Sequence, residues 1–198
     1  MPALEFNINK IRNDFPTLKQ SINDNQLVYL DSAATTQKPQ SVIDVINEFY
    51  TSQNANVHRG RHTLSEHATT LYEQARDKTA KYFNVLSKEI VWTKGATEAI
   101  NLVSNGLRNR LSKNDTIIIS ALEHHANIVP WQVLSEQTGA KLIALPVNHD
   151  GTLNIKQCCD FIKQSKPSLL TITQASNTLG NITNLEPLIT AAKNVDSL

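Results

Sequence analysis

Cysteine is scarce in these 198 residues, and the two present, Cys158 and Cys159, are neighbours. A bond between adjacent cysteines is strained and closes no useful loop, which excludes a disulfide framework and leads us to expect a reducing compartment. An excess of charge of either sign is also lacking, with 19 Lys plus Arg against 18 Asp plus Glu. A binder driven by phosphate neutralisation needs a basic surface, which this balance supplies only by local segregation, so nucleic acid is not the expected partner. No apolar run approaches the ~18 residues of a membrane span, and residues 1–16 mix acids with bases without a signal peptide's apolar centre. The reading is a cytoplasmic chain with no membrane partner. What is present is a 40% hydrophobic content over roughly one domain's length with some surplus, enough for a core and too apolar for disorder.

Short β-rich runs alternate with stretches of helical period, the signature of successive βαβ units and a mostly parallel sheet with helices on both faces. Strands are expected at 27–30, 89–93, 116–120, 141–146 and 169–173, and helices at 39–51, 64–83, 96–111, 128–138, 155–164 and 186–194. Asn114-Asp115 and Asp150-Gly151 read as turns. No internal repeat or low-complexity linker interrupts the pattern. A crossover helix is normally followed by another strand, yet residues 191–198 stop where that strand should begin, so the α/β layer reads as C-terminally incomplete.

In open parallel sheets ligands bind beyond the carboxyl ends of the strands, and four polar clusters follow expected strands. They are Asp31-Ser32-Ala33-Ala34-Thr35, Lys94-Gly95-Ala96-Thr97-Glu98, Glu123-His124-His125-Ala126-Asn127 and Ser176-Asn177-Thr178-Leu179-Gly180. Their spacings fit one and two βα units, so the loops are able to converge on one edge. Gly95 to Glu98 opens a helix where backbone amides and the helix dipole favour an anion, and Thr97 adds a hydroxyl; an ordinary N-cap with Glu98 in the first turn is the alternative. The segment is neither a Walker A loop nor a G-x-G-x-x-G. Glu123-His124-His125 lacks the spacing of H-E-x-x-H, which disfavours zinc; one histidine here is suited to lying on a planar cofactor and moving protons, or is simply a hydrogen-bonded loop residue. Residues 54–62, with His58, Arg59, Arg61 and His62, suit a carboxylate or phosphate, or form a solvated loop. Asn177 offers a donor and an acceptor within a sequence that also suits a plain turn. The adjacent cysteines lie in an expected helix and are assigned no thiol chemistry.

Together these segments resemble the SufS-type cysteine desulfurases of the class V aminotransferase family. The strings that carry the resemblance are collinear and span nearly the whole chain: YLDSAATTQKP from Tyr29, NVHRGRHTLSEHAT from Asn56, GATEAINLV from Gly95, EHHANIVPWQ from Glu123 and SNTLG from Ser176. The resemblance implies a fold type I large domain of a pyridoxal 5'-phosphate (PLP) enzyme over residues 26–198, preceded at 1–25 by a segment of the small-domain region. It places Ala96 and Thr97 at the cofactor phosphate, with Ala96 where many relatives have threonine. It places His124 on the pyridine ring as the catalytic proton-transfer residue. Asn177 falls near the cofactor's phenolic oxygen and the substrate carboxylate, and Ala33 and His58 fall on the substrate side.

The Schiff-base lysine, the pyridinium aspartate, the persulfide cysteine and the carboxylate-binding arginine of that family come later in its chains and have no match here. The implied whole is a homodimer that converts L-cysteine to L-alanine and hands persulfide sulfur to an acceptor protein of iron-sulfur assembly. This chain alone is expected to be inactive. A related selenocysteine lyase and an inactive truncated scaffold are the alternatives.

Overall fold

The computed structural model describes residues 6–198 in two compact units, one ending at Val91 and the other beginning at Trp92. In the first unit, α1 (Ile8–Asn13) starts at Asn7, whose side chain accepts the Lys10 N–H at 3.0 Å. A hairpin of β1 (Ser21–Ile22) and β2 (Asn25–Gln26) follows. Its turn is Asn23-Asp24, with φ of 51° and 61°, the two successive positive values of a type I′ turn that Asn and Asp tolerate. Then come α2 (Gln40–Glu48), extended by a wider turn at Phe49–Gln53, and the 21-residue α3 (Thr63–Phe83). His62 caps α3, its ring accepting the Ser65 N–H at 3.4 Å, and Asn84 closes the helix in the left-handed region at φ 55°.

The second unit is a three-stranded parallel sheet in the order β4 (Lys141–Leu145), β3 (Thr116–Ser120), β5 (Leu169–Thr171). Its helices are α4 (Ala96–Leu107), α5 (Val129–Thr138), α6 (Ile155–Ser165) and α7 (Glu186–Lys193). Ile117, Ile118 and Ile119 are all 5% exposed or less, an uninterrupted apolar run that only a sheet covered on both faces requires. Ile117 and Ile119 pack with Leu107 of α4 and with Trp131 and Leu134 of α5, while Ile118 faces the other way onto Ile162 of α6 and Leu188 of α7. This is the expected α/β layer, with helices on both faces. After α7, Leu198 donates its N–H to Ser168 O at 3.1 Å and accepts from Leu170 N–H at 2.9 Å, a ladder step on the open edge of β5.

Two expected strands are absent among the described residues. Beyond Leu27, whose N–H reaches Gln20 O at 3.0 Å, residues 27–30 have no ladder, and Leu30 is 90% exposed. Residues 89–93 are assigned to no strand either: Glu89 closes a 3₁₀ turn begun at Ser87, and Val91 is exposed. A strand exists by virtue of a partner's hydrogen bonds, so apolar β-prone residues without a neighbouring ladder stay irregular. No helix of the described residues is long and apolar enough to cross a membrane.

Candidate functional site

Because β3, β4 and β5 run parallel, their carboxyl ends share one edge. There β3 leads into Glu123, His124 and a 3₁₀ turn at His125–Asn127, and β5 leads into a turn at residues 176–180. Buried hydrogen bonds tie the two loops together. Glu123, 9% exposed, accepts through Oε1 from Ser120 Oγ at 2.5 Å and from Thr173 N–H at 2.8 Å, and through Oε2 from Asn127 Nδ2 at 2.7 Å. Asn127 Oδ1 in turn accepts from Trp131 Nε1–H and Thr171 Oγ1, each at 2.8 Å. Three of these residues, Glu123, Asn127 and Trp131, recur every fourth position, a spacing that the sequence showed but whose β5 partners it did not.

His124 stands exposed at the start of the 3₁₀ turn. Its Nδ1 accepts the Ala126 N–H at 3.1 Å, so the neutral ring carries its proton on Nε2. His125 lies edge-on to it, with ring centroids 6.2 Å apart. In the β5 loop Ser176 is buried and its Oγ accepts the N–H groups of Thr178 and Leu179 at 3.3 and 3.2 Å. Gly180, at φ 74°, returns its N–H to Ser176 O at 2.9 Å. That turn leaves Asn177 exposed, its side chain making no hydrogen bond among the described residues.

α4 packs against the His125–Asn127 turn, and its buried Ser104 hydroxyl donates to Pro130 O at 3.0 Å. No side chain caps its N-terminus; the Glu98 carboxylate instead accepts the Lys94 N–H at 2.6 Å. Ala96 and Thr97 are exposed in the first turn, and a Cβ placed on Gly95 would meet nothing within 4 Å. The arrangement offers uncapped amides and a hydroxyl to an anion.

Ala33 and His58 belong to the first unit. Ala33 sits exposed in a turn where the N–H groups of Ala34 and Thr35 reach Asp31 O at 3.1 and 3.2 Å. His58 adopts φ 67°, donates its N–H to Thr69 Oγ1 at 3.0 Å and pairs through Nε2 with Glu73 Oε1, also at 3.0 Å. The loop around it is fastened by Ser65, fully buried, whose hydroxyl donates to Asn56 O at 2.5 Å and accepts the Gly60 N–H at 3.0 Å. Arg59 and Arg61 are exposed and make no ion pair among the described residues. The Glu73 partner of His58 lies on α3 and was not among the expected site residues.

Burial, and after it the adjacent Cys159, push the Cys158 thiol above its ordinary value, which disfavours the thiolate. Among the described residues no three His, Cys, Asp or Glu side chains gather as metal ligands.

The sequence is 45% identical over 188 residues to a probable cysteine desulfurase of Vibrio cholerae, covering 94% of this chain and 46% of that protein. It is also 45% identical over 192 residues to a cysteine desulfurase of Pectobacterium atrosepticum, covering 96% and 47%. The chain thus spans about half the length of the curated relatives it matches. Among solved structures it superposes on the apo cysteine desulfurase of Thermococcus onnurineus with a TM-score of 0.87 at 34% identity, covering 96% of this chain and 46% of that one. A cysteine desulfurase from Escherichia coli gives 0.82 at 38%, covering 98% and 47%. The parallel sheet covered on both faces is thus the fold that this chain shares with about half of each of these cysteine desulfurases. The sequence model described as Aminotransferase class-V matches residues 28–198, so a parallel sheet with its polar loops gathered at one edge has a family to which it belongs: this chain is a member of the class-V aminotransferases.

Proposed function

We propose that this chain forms the N-terminal part of a SufS-type, PLP-dependent cysteine desulfurase, with residues 26–198 in the large domain and 1–25 in the small-domain region. The whole enzyme would take sulfur from L-cysteine as an enzyme persulfide, release L-alanine and pass the sulfur to an acceptor protein of iron-sulfur assembly, as a cytoplasmic homodimer. The observation that carries this reading is the joining of the His124 loop to the Asn177 loop at one sheet edge, through Glu123 and Asn127.

The residues present fit the cofactor. The uncapped first turn of α4, the Thr97 hydroxyl and the open approach over Gly95 and Ala96 suit a phosphate. A flat imidazole with its outer nitrogen protonated suits an aromatic ring and a proton-transfer role, and the unpaired Asn177 amide suits a phenolic oxygen or a carboxylate. Bound there, PLP supplies an electron sink for bonds to the amino acid's α-carbon. Ala33 and His58 would act on the substrate side. Neither cysteine of this chain serves as the persulfide thiol, since Cys158 is 3% exposed with its thiolate disfavoured and Cys159 is its helical neighbour.

A chimera tests the proposal: this chain followed by the remaining half of the Vibrio cholerae relative, purified with PLP and given L-cysteine. Alanine release above a free-cofactor blank is expected from the chimera, and none from the 198 residues alone. A chimera that retains the cofactor yet leaves cysteine untouched would refute it.

A further inference from the structure

We propose that Glu123 and Asn127 form a polarity-matched clamp that positions His124 against the loop after β5, a role that rests on the reading of His124 as the residue facing PLP.

The clamp has one arrangement. Trp131 Nε1–H can only donate, so the oxygen of the Asn127 amide must face it, at 2.8 Å, and the amide nitrogen must face Glu123 Oε2, at 2.7 Å. Ser120 Oγ already accepts the Leu122 N–H at 3.2 Å, and its hydroxyl proton goes to Glu123 Oε1. The backbone N–H of Thr173 takes up the remaining capacity of that oxygen. Position 123 must therefore present acceptors on both sides. A carboxylate does so, whereas an amide of the same shape cannot.

The cost of this choice argues that it serves a purpose. Glu123 is 9% exposed, and all its hydrogen-bond partners are neutral donors. A buried carboxylate without a cation is an expensive way to fasten a loop that apolar packing would also hold, and such networks earn retention by specifying one geometry. Here that geometry joins two loops 50 residues apart in sequence: His124 is the next residue after Glu123, and Asn177 lies four residues beyond Thr173.

Glu123→Gln sets an N–H against an N–H whichever way the Asn127 amide turns, because turning it to satisfy position 123 opposes it to Trp131. Glu123→Gln with Asn127→Asp restores every match: the glutamine oxygen accepts from Ser120 and Thr173, its nitrogen donates to Asp, and Asp accepts from Trp131 and Thr171. The side-chain ¹⁵N–¹H spectrum of the histidines in the 198-residue chain reads the result directly, with His125 as internal control. The expected outcome is a single Nε2–H tautomer for His124 in the wild type, a mixture in Glu123→Gln, and the single form again in the double variant. In the chimera, Glu123→Gln is expected to lower kcat roughly tenfold with KM changed less than about threefold, and the double variant to recover most of it.

A His124 spectrum unchanged in Glu123→Gln, with only a lowered Tm, would overturn the clamp and reduce the network to fold support; so would a double variant that fails to restore the wild-type signature. If Glu123→Gln does not fold, the double variant decides alone by the same signature. An inactive wild-type chimera with a His124 tautomer that follows the swap would sink the desulfurase reading and leave the clamp standing. An active chimera with an indifferent His124 would do the reverse.

Discussion

Gly60→Ala would set a methyl group against the buried first turn of α3. Gly60 lies outside the left-handed φ region, but a Cβ there would fall well inside contact with both Cβ and Oγ of Ser65. Ser65 is fully buried in the first turn of α3 and is held by that helix, so the loop must yield. Overpacking of this kind costs about 1–3 kcal/mol. The bond from Gly60 N–H to Ser65 Oγ, 3.0 Å long, adds about 1 kcal/mol when it breaks. The alanine returns about 0.4–1 kcal/mol through a less flexible unfolded chain. The net loss is about 1–3.5 kcal/mol, or a Tm lowered by about 2–14 °C for a chain of this size, read by calorimetry. The control is Ser65→Gly, which removes both obstructing atoms. In that background Gly60→Ala should cost less than about 0.5 kcal/mol, a non-additivity that identifies the clash. An equal cost in both backgrounds, or a wild-type Tm for the single variant, would show that Ser65 does not obstruct a side chain at position 60. His58 is two residues away in the same loop, so its pairing with Glu73 should loosen in Gly60→Ala and be visible as a shifted His58 ring signal.

Two further outcomes follow from groups with displaced titration. The Asp115 carboxyl lies below its ordinary value of 3.8 because the Ser168 hydroxyl, and then Ser112, donate to it. A folded value below the unfolded one means that its stabilisation is complete above the ordinary value and is lost as pH falls through the lowered one, so a pH series of denaturant unfolding should steepen over that acid window and flatten in Asp115→Asn; an unchanged slope would contradict it. Cys158 should resist a thiol reagent at neutral pH until the chain unfolds, while the partly exposed Cys159 reacts first; mass spectrometry of the labelled peptide settles which thiol was modified, and early labelling of Cys158 would contradict the burial argument.

Residues 116–120 were legible as a strand because three consecutive isoleucines fit only a sheet buried on both faces, and the helix ending at Gly139 was legible because that glycine takes φ 77°. Residues 27–30 and 89–93 misled for the same reason that 116–120 succeeded: apolar β-prone composition is necessary for a strand, but only a neighbouring ladder completes it, and among the described residues none forms beside these two runs. The Asn23-Asp24 turn carried a local signal that went unread, since both residues tolerate positive φ. At the candidate site, His124, Thr97 and Asn177 were visible as polar residues after expected strands or at a helix start. Glu123 and Glu73 were not visible as partners, because Thr173 and His58 reach them only once β5 stands beside β3 and the 54–62 loop folds onto α3.

In the proposed enzyme the first turn of α4, His124 and Asn177 receive PLP. Backbone amide spectra of the 198-residue chain titrated with PLP, and separately with pyridoxal lacking the phosphate, check this placement. Shifts are expected at residues 95–98, His124 and Asn177 with PLP, and the 95–98 shifts should be lost with pyridoxal. Shifts confined to other surfaces, or identical patterns from the two compounds at 95–98, would contradict it.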